Sequence, residues 1–311
     1  MPSTPSLFDE PTADGREPRR PIGLVRLGTS SFSSPDWVGP MYPPGTPARE
    51  FLRLYALEFD TVEVDSTYYA VPSARTVDGW IDKTPGDFVI AAKFPRAIVH
   101  GGDAATPDPA KVLVPSATAK ERDAFLAVMS RLGARLGTLV LQFPYFNRKA
   151  FASAEPFLDR LDAFLGALPT KGFSFAVEIR NRDWYARPFR DLCARHGAGV
   201  VLVDQAWMPH GDEIFDALEP RTSDALYVRL LGDRDAIEKV TTTWDREVVD
   251  QTARMTRWAR LLAAQAAKGV RSFVYVNNHY AGHAPATVRR LRTMIDDAMT
   301  AERERAGRDR P

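Results

Sequence analysis

The sequence predicts an α/β fold of the (β/α)8 type: a TIM barrel, one domain, with a closed parallel sheet. Two observations predict it. Eight short apolar, β-branched runs alternate with helical patterns along the chain. Each run also carries its polar residues on one face and near its C-terminal end, which suits a strand whose inner face opens into a barrel mouth. Alternation of strand and helix implies parallel strands joined by right-handed crossovers.

The runs come in order as VRLGT (25–29), TVEVD (61–65), FVIAAK (88–93), LVLQ (139–142), FAVEIR (175–180), VVLVD (200–204), LYVRL (226–230) and FVYVN (273–277). Helical periodicity fills the intervals 48–59, 75–81, 119–132, 156–168, 187–196, 245–267 and 286–299. The pattern is clearest at 156–168, where Phe157, Leu158, Leu161, Phe164 and Leu165 recur at helical spacing. The link 205–224 has room for a short helix only. A doubly wound sheet is the alternative, but the first turn, GTSSFSSPDW, is no glycine-rich dinucleotide fingerprint. The domain boundaries expected are a disordered leader over 1–21, rich in Pro, Asp and Arg, a barrel over 22–297, and a charged tail over 298–311.

Composition narrows the function classes. The 311 residues are 44% hydrophobic and 26% charged, and the net charge is +1. That balance suits a soluble globular protein and does not favour non-specific binding to nucleic acid. No run of 18 apolar residues or secretory leader is present, so no membrane association is expected. The one cysteine, Cys193, fits a reducing cytoplasm and reads as a packing residue. The oligomeric state is not legible.

Strand parity gathers a polar set at the mouth: Thr29, Glu63, Asp65, Lys93, Gln142, Glu178, Arg180, Asp204, Arg229 and Asn277. Such a concentration of charge must be paired or solvated, so a closed ion-pair plug is the bland alternative to a site. As a site, Lys93, Arg180 and Arg229 would clamp a small anion, with arginine offering its two-pronged fork. Glu178 and Glu63 are the acid/base candidates, with Asp204 orienting, and Lys93 is a lesser candidate as a nucleophile. On the loops that follow the strands, Trp37, Tyr68, Arg96, His100, Trp184, Asn278 and His279 are candidate substrate contacts. No cofactor is predicted. A divalent metal held by carboxylates with His100, His279 or His283 is the weaker option, because three fixed cations would compete with it. The stretch VYVNNHYAGHAPATVRRL (274–291) reads as an anion or hydroxyl cradle, with Asn277 inward, Gly282 letting backbone approach a ligand, and Pro285 in the first turn of a helix.

These motifs carry a resemblance. GTSSFSSPDWVGPMYP (28–43), FDTVEVDSTYYAVPSARTVDGWIDKTPGDFVIAAKFPRAIVH (59–100), LGTLVLQFPYF (136–146), AVEIRNRDWY (176–185), LVD (202–204), YVRLLG (227–232) and the 274–291 stretch occur in the order seen in the domain of unknown function 72 family, the YecE-like proteins. The chain resembles that family over roughly 23–295. The resemblance implies a TIM barrel, likened to sugar isomerases and the endonuclease IV group, and implies no settled reaction. Asp65 stands where many members have Asn. No strand ends in histidine, so the zinc site of endonuclease IV is not carried over. The function expected is acid/base chemistry on a small anionic, sugar-like or phosphorylated substrate, isomerase-like or hydrolase-like. Nucleic-acid binding or processing and non-catalytic binding are the alternatives.

Overall fold

The computed structural model describes residues 23–308 apart from 103 and 105, so the leader expected over 1–21 lies outside the described residues. Among the described residues eight parallel strands follow one another around a nearly closed barrel: β1 (Val25–Thr29), β2 (Thr61–Val64), β3 (Val89–Lys93), β4 (Leu136–Gln142), β5 (Phe175–Glu178), β6 (Gly199–Gln205), β7 (Ala225–Gly232) and β8 (Arg271–Val276). The fold is a single-domain TIM barrel, as the alternation of runs predicts.

The helices are α1 (Phe51–Glu58), α2 (Ala74–Asp82), α3 (Arg96–Val99), α4 (Pro115–Met129), α5 (Glu155–Gly166), α6 (Arg187–Arg195), α7 (Gly211–Leu218), α8 (Arg234–Ile237), α9 (Thr252–Ala267), α10 (Asn278–Ala281) and α11 (Ala284–Arg308). Local chemistry sets their starts. Ser73 caps α2 by accepting from the Thr76 amide, and prolines open α4, α5 and α6. The apolar stripe of α5 buries Phe157, Leu161, Phe164 and Leu165 against the sheet. The last helix runs on to Arg308, so 298–308 is helical. No helix among the described residues is long and apolar enough to cross a membrane.

Two cores result from strand alternation. The outward positions, such as Leu27, Val62, Ile90, Leu141, Val177, Leu202, Val228 and Val274, pack under the helices. The inward positions Ala91, Val140, Ala176, Val201, Val203, Tyr227 and Tyr275 fill the lumen. This pattern places Glu63, Lys93, Gln142, Glu178 and Arg229 on the inward face, at the C-terminal ends of their strands.

Closure of the barrel depends on one side chain. β1 and β2 share no hydrogen-bonded ladder, although β1 pairs with β8 and β2 with β3. The Tyr55 hydroxyl bridges the gap: it accepts from the Thr29 amide at 2.8 Å and donates to the Thr61 carbonyl at 3.1 Å. Gly28 permits the approach, since a Cβ there would lie 2.0 Å from the Thr61 oxygen. Both backbone groups are buried, and a buried group left unpaired costs about 1–3 kcal/mol. Tyr55→Phe is therefore expected to lower unfolding free energy by about 1–3 kcal/mol in urea with an unchanged m-value. A loss below about 0.5 kcal/mol, the range of ordinary surface substitutions, would contradict the seam.

Candidate active site

At the floor of the C-terminal mouth Arg229 lies between two carboxylates. Its Nη2 donates to Glu63 Oε1 at 2.8 Å and its Nη1 to Glu178 Oε2 at 2.5 Å. Nε adds 3.1 Å to Glu63, and Nη1 adds 2.8 Å to Gln142 Oε1. Glu63 and Glu178 are fully buried, and Arg229 is 2% exposed. The Tyr227 hydroxyl donates to the second Glu63 oxygen at 2.7 Å. Arg180, just beyond β5, reaches back to Glu178 Oε1 at 2.6 Å and to Gln205 Oε1 at 2.6 Å. Lys93 sits 2.5 Å from Asp65 and 3.6 Å from Glu63. Three acids therefore meet three bases.

The environments divide these groups into two kinds. For Glu178, burial raises the pKa, but Arg180 and Arg229 outweigh it and hold the carboxyl down at about 2. A group held there is ionised at any physiological pH and makes a poor proton donor or acceptor. Asp65 is different. Burial pushes its carboxyl above the usual range against the pull of Lys93, and because 35% of its side chain remains exposed, water tempers that rise. Asp65 and Lys93 form the edge of the network that meets solvent.

Other expected contacts gather less well. Tyr68 is half-buried and lies in the field of Arg96, Arg180 and Glu178, which puts it at the mouth. The Arg96 guanidinium is engaged by the Ala104 carbonyl. His100 is 6% exposed with Nδ1 unpartnered among the described residues, and burial lowers its pKa.

Several expectations are corrected. Asp204 faces the helix layer, where it accepts from Trp258 Nε1 at 2.7 Å, from Tyr280 at 3.0 Å and from Arg254. Its place at the mouth belongs to Gln205. The run 199–205 is apolar on both faces, so parity alone gave no way to choose between Asp204 and Gln205. Thr29 likewise faces α1 and bonds Tyr55. Trp37 is 1% exposed and donates to Asn278 Oδ1 at 3.2 Å. Trp184 stacks on Phe157 at 5.2 Å. Both pack loops, Trp37 fully buried and Trp184 partly.

The 274–291 cradle also spends most of its asparagine and histidine contacts on the protein itself, though His283 Nε2 is buried with no partner among the described residues. Asn277 accepts from the His279 amide and caps α10, while Asn278 Oδ1 accepts from the Ala284 amide at the start of α11. His279 bridges Asn277 and Glu238. Gly282, at φ +118°, makes its close approach to the Arg246 carbonyl and not to an open site. His283 packs its ring edge-on to Trp37. Among the described residues no three His, Cys, Asp or Glu side chains are grouped as a metal site.

A cavity of about 980 Å³ lies at the opposite, N-terminal end, bordered by Arg26, Gly137, Gly199 and Phe273. Arg26 there is spent on the Asp60 and Asp87 carbonyls. Enzymes of this fold work at the C-terminal end, which favours the mouth over this cavity.

Comparison with known proteins agrees with the motifs. The model of the family described as "Protein of unknown function DUF72" matches residues 26–309. The chain belongs to the DUF72 family. The UPF0759 protein YecE of Escherichia coli K12 is 30% identical over 203 residues, which is 62% of this chain and 65% of YecE. YunF of Bacillus subtilis is 26% identical over 53% of this chain and 54% of its own. The chain thus spans just under two thirds of YecE in that match. A DUF72 family protein from Thermotoga maritima superposes with a TM-score of 0.64 at 25% identity, over 88% of this chain and 99% of its own. A DUF72 protein from Enterococcus faecalis gives 0.59 at 19% identity, over 88% of this chain and 96% of its own.

The buried histidine of the last loop gives a pH signature. Burial, aided by Arg289 and opposed by Glu247, Asp245 and Glu58, lowers the His283 pKa from 6.5 to about 4. The unfolded chain then takes up a proton that the folded chain refuses, so stability falls as pH drops from 6.5 towards 4. Between pH 7 and pH 5 this amounts to about 2 kcal/mol. In His283→Gln, that share of the acid-induced loss is expected to vanish in urea titrations at the two pH values; an unchanged loss would contradict it.

Proposed function

We propose that the mouth binds a small anionic, hydroxyl-bearing compound and that the chain is an enzyme acting on it by proton transfer, isomerase-like or hydrolase-like. The observation that carries this reading is the split within the charge network. Arg229 closes on Glu63 and Glu178 at the floor, and Asp65 with Lys93 stays at the water-facing edge. Lys93 carries three N–H donors and Arg180 five. Their protein partners leave donors on both for a ligand carboxylate or phosphate. Asp65, whose carboxyl burial raises above the usual aspartate range, is the group placed to exchange a proton. This moves the acid/base role from Glu178, which stays ionised, to Asp65. Glu178 and Glu63 orient Arg180, Lys93 and Arg229. The chain would work in the cytoplasm, where the buried Cys193 stays a thiol.

The test is a thermal-shift and turnover screen against sugar phosphates, uronates and hydroxy acids. Arg180→Gln is expected to weaken a wild-type hit by about tenfold or more, as losing a charged hydrogen bond of 1.5–3 kcal/mol would. Asp65→Asn is expected to bind that hit and lose about 100-fold or more in turnover. A screen with no hit, or an Asp65→Asn variant that turns over normally, would overturn the reading. Binding of DNA that falls steeply with salt would point to nucleic acid instead.

A further inference from the structure

We propose that the ligand of the mouth is a saccharide more than one ring long, with its acidic unit on the charged floor and its further rings stacked on aromatic platforms at the rim. This rests on the anion-binding reading above and names its substrate class.

Four large apolar side chains are strongly exposed among the described residues: Tyr69 at 72%, Tyr145 at 64%, Val240 at 63% and Trp207 at 50%. All four lie on loops that leave the C-terminal ends of strands, after β2, β4, β7 and β6 respectively. None lies on the helical shell or at the opposite end of the barrel. A tyrosine or tryptophan left in water is unspent apolar surface, and its confinement to one end is a pattern. β2, β4 and β6 stand two positions apart around an eight-stranded barrel, so the loops that carry the three rings rise from three sides of the mouth. Rings spread around a polar opening suit a ligand that enters it. A flat protein partner would need a continuous patch.

The rim is joined to the floor. Tyr69 meets Tyr68 edge to face at 5.5 Å, and Tyr68 is under the influence of Arg96 and Arg180. A second observation points to hydroxyl groups. Ser30 continues the β1 ladder by donating its amide to the Val276 carbonyl. Thr29 before it faces α1, so strand alternation sends the Ser30 side chain towards the lumen. Its hydroxyl is buried, with the residue 2% exposed, and has no partner among the described residues. A hydroxyl of that kind at the mouth is a site for a ligand hydroxyl. A pyranose ring supplies both an apolar face for stacking and hydroxyls for Ser30. The net charge of +1 gives no extended field for a long polyanion such as nucleic acid, whereas a short acidic saccharide needs only the local cations of the floor.

The experiment measures dissociation constants by calorimetry for galacturonate, glucuronate and mannuronate and for their dimers and trimers. In at least one series the trimer is expected to bind about tenfold or more tighter than the monomer. Trp207→Ala and Tyr69→Ala are expected to remove most of that gain and to leave monomer affinity unchanged. Ser30→Ala is expected to weaken monomer and trimer alike. Equal affinity at all lengths, or a gain that survives both aromatic substitutions, overturns the inference. So does binding of sugar phosphates or hydroxy acids with no uronate bound at any length, which would leave the anion-binding reading standing. If no anion of either set binds, both fail. A dimer in sedimentation that Trp207→Ala dissolves would assign the rim to a second copy of the chain and overturn the saccharide.

Discussion

The buried guanidinium of Arg229 is the interaction on which the mouth depends. Two carboxylates, Glu63 and Glu178, are fully buried, and without the cation between them Glu178 would keep only Arg180, and Glu63 only the more distant Lys93, as ion-pair partners among the described residues. Breaking a buried pair of this kind costs about 3–5 kcal/mol. With Arg229 present, every strong contact at the floor is charge-assisted, and both carboxylates are fixed in place. Those fixed groups then set the positions of Arg180 and Lys93, which are the cations nearer to solvent. The floor therefore has an electrically closed inner part and an outer edge, Asp65 with Lys93, where a proton or an anion can be exchanged. A TIM barrel with an all-apolar lumen would be cheaper to build.

Most of the frame was legible from sequence because barrel strands repeat two simple patterns. Apolar runs of strand length give their number, and alternation gives their inward face wherever that face differs from the outward one. Glu63, Gln142, Glu178 and Arg229 each sit next to clearly outward valine, isoleucine or leucine, and Lys93 sits between outward Ala92 and Phe94, so their direction followed. At β6 both faces are valine and leucine, and the choice fell on Asp204 when the inward residue is Gln205. At β1 the outward Thr29 was taken because Gly28 offers no side chain to mark the inner face, and this also hid Ser30. The remaining misplacements come from loops. Trp37, Trp184 and Asn278 are tied by contacts to residues far along the chain, such as Trp37 to Asn278, and no local pattern encodes such pairings, while Asn277 is spent on capping α10.

Both ends of the barrel show how the sequence divides labour. Near the seam, Gly28 lets β1 and β2 approach and Tyr55 supplies the hydrogen bonds that the missing ladder lacks. At the mouth the same strands deliver Ser30 and Glu63. At the far end a cavity opens beside Gly137 and Gly199, away from the ion-pair floor. Stability is thus concentrated in the outer helix–sheet core and in the ion-pair floor. The loops above the floor carry the apolar surface that folding does not use.

The central claim is that the network separates its carboxylates into a locked group and an exchangeable one. Carbon-detected NMR titration of the aspartate and glutamate carboxyls tests it most directly. The Glu178 carboxyl signal is expected to stay at its ionised position down to about pH 3, and the Asp65 signal to titrate above the usual aspartate range. A Glu178 signal that titrates near 4.5, or an Asp65 signal that titrates below the ordinary aspartate value, would contradict the account.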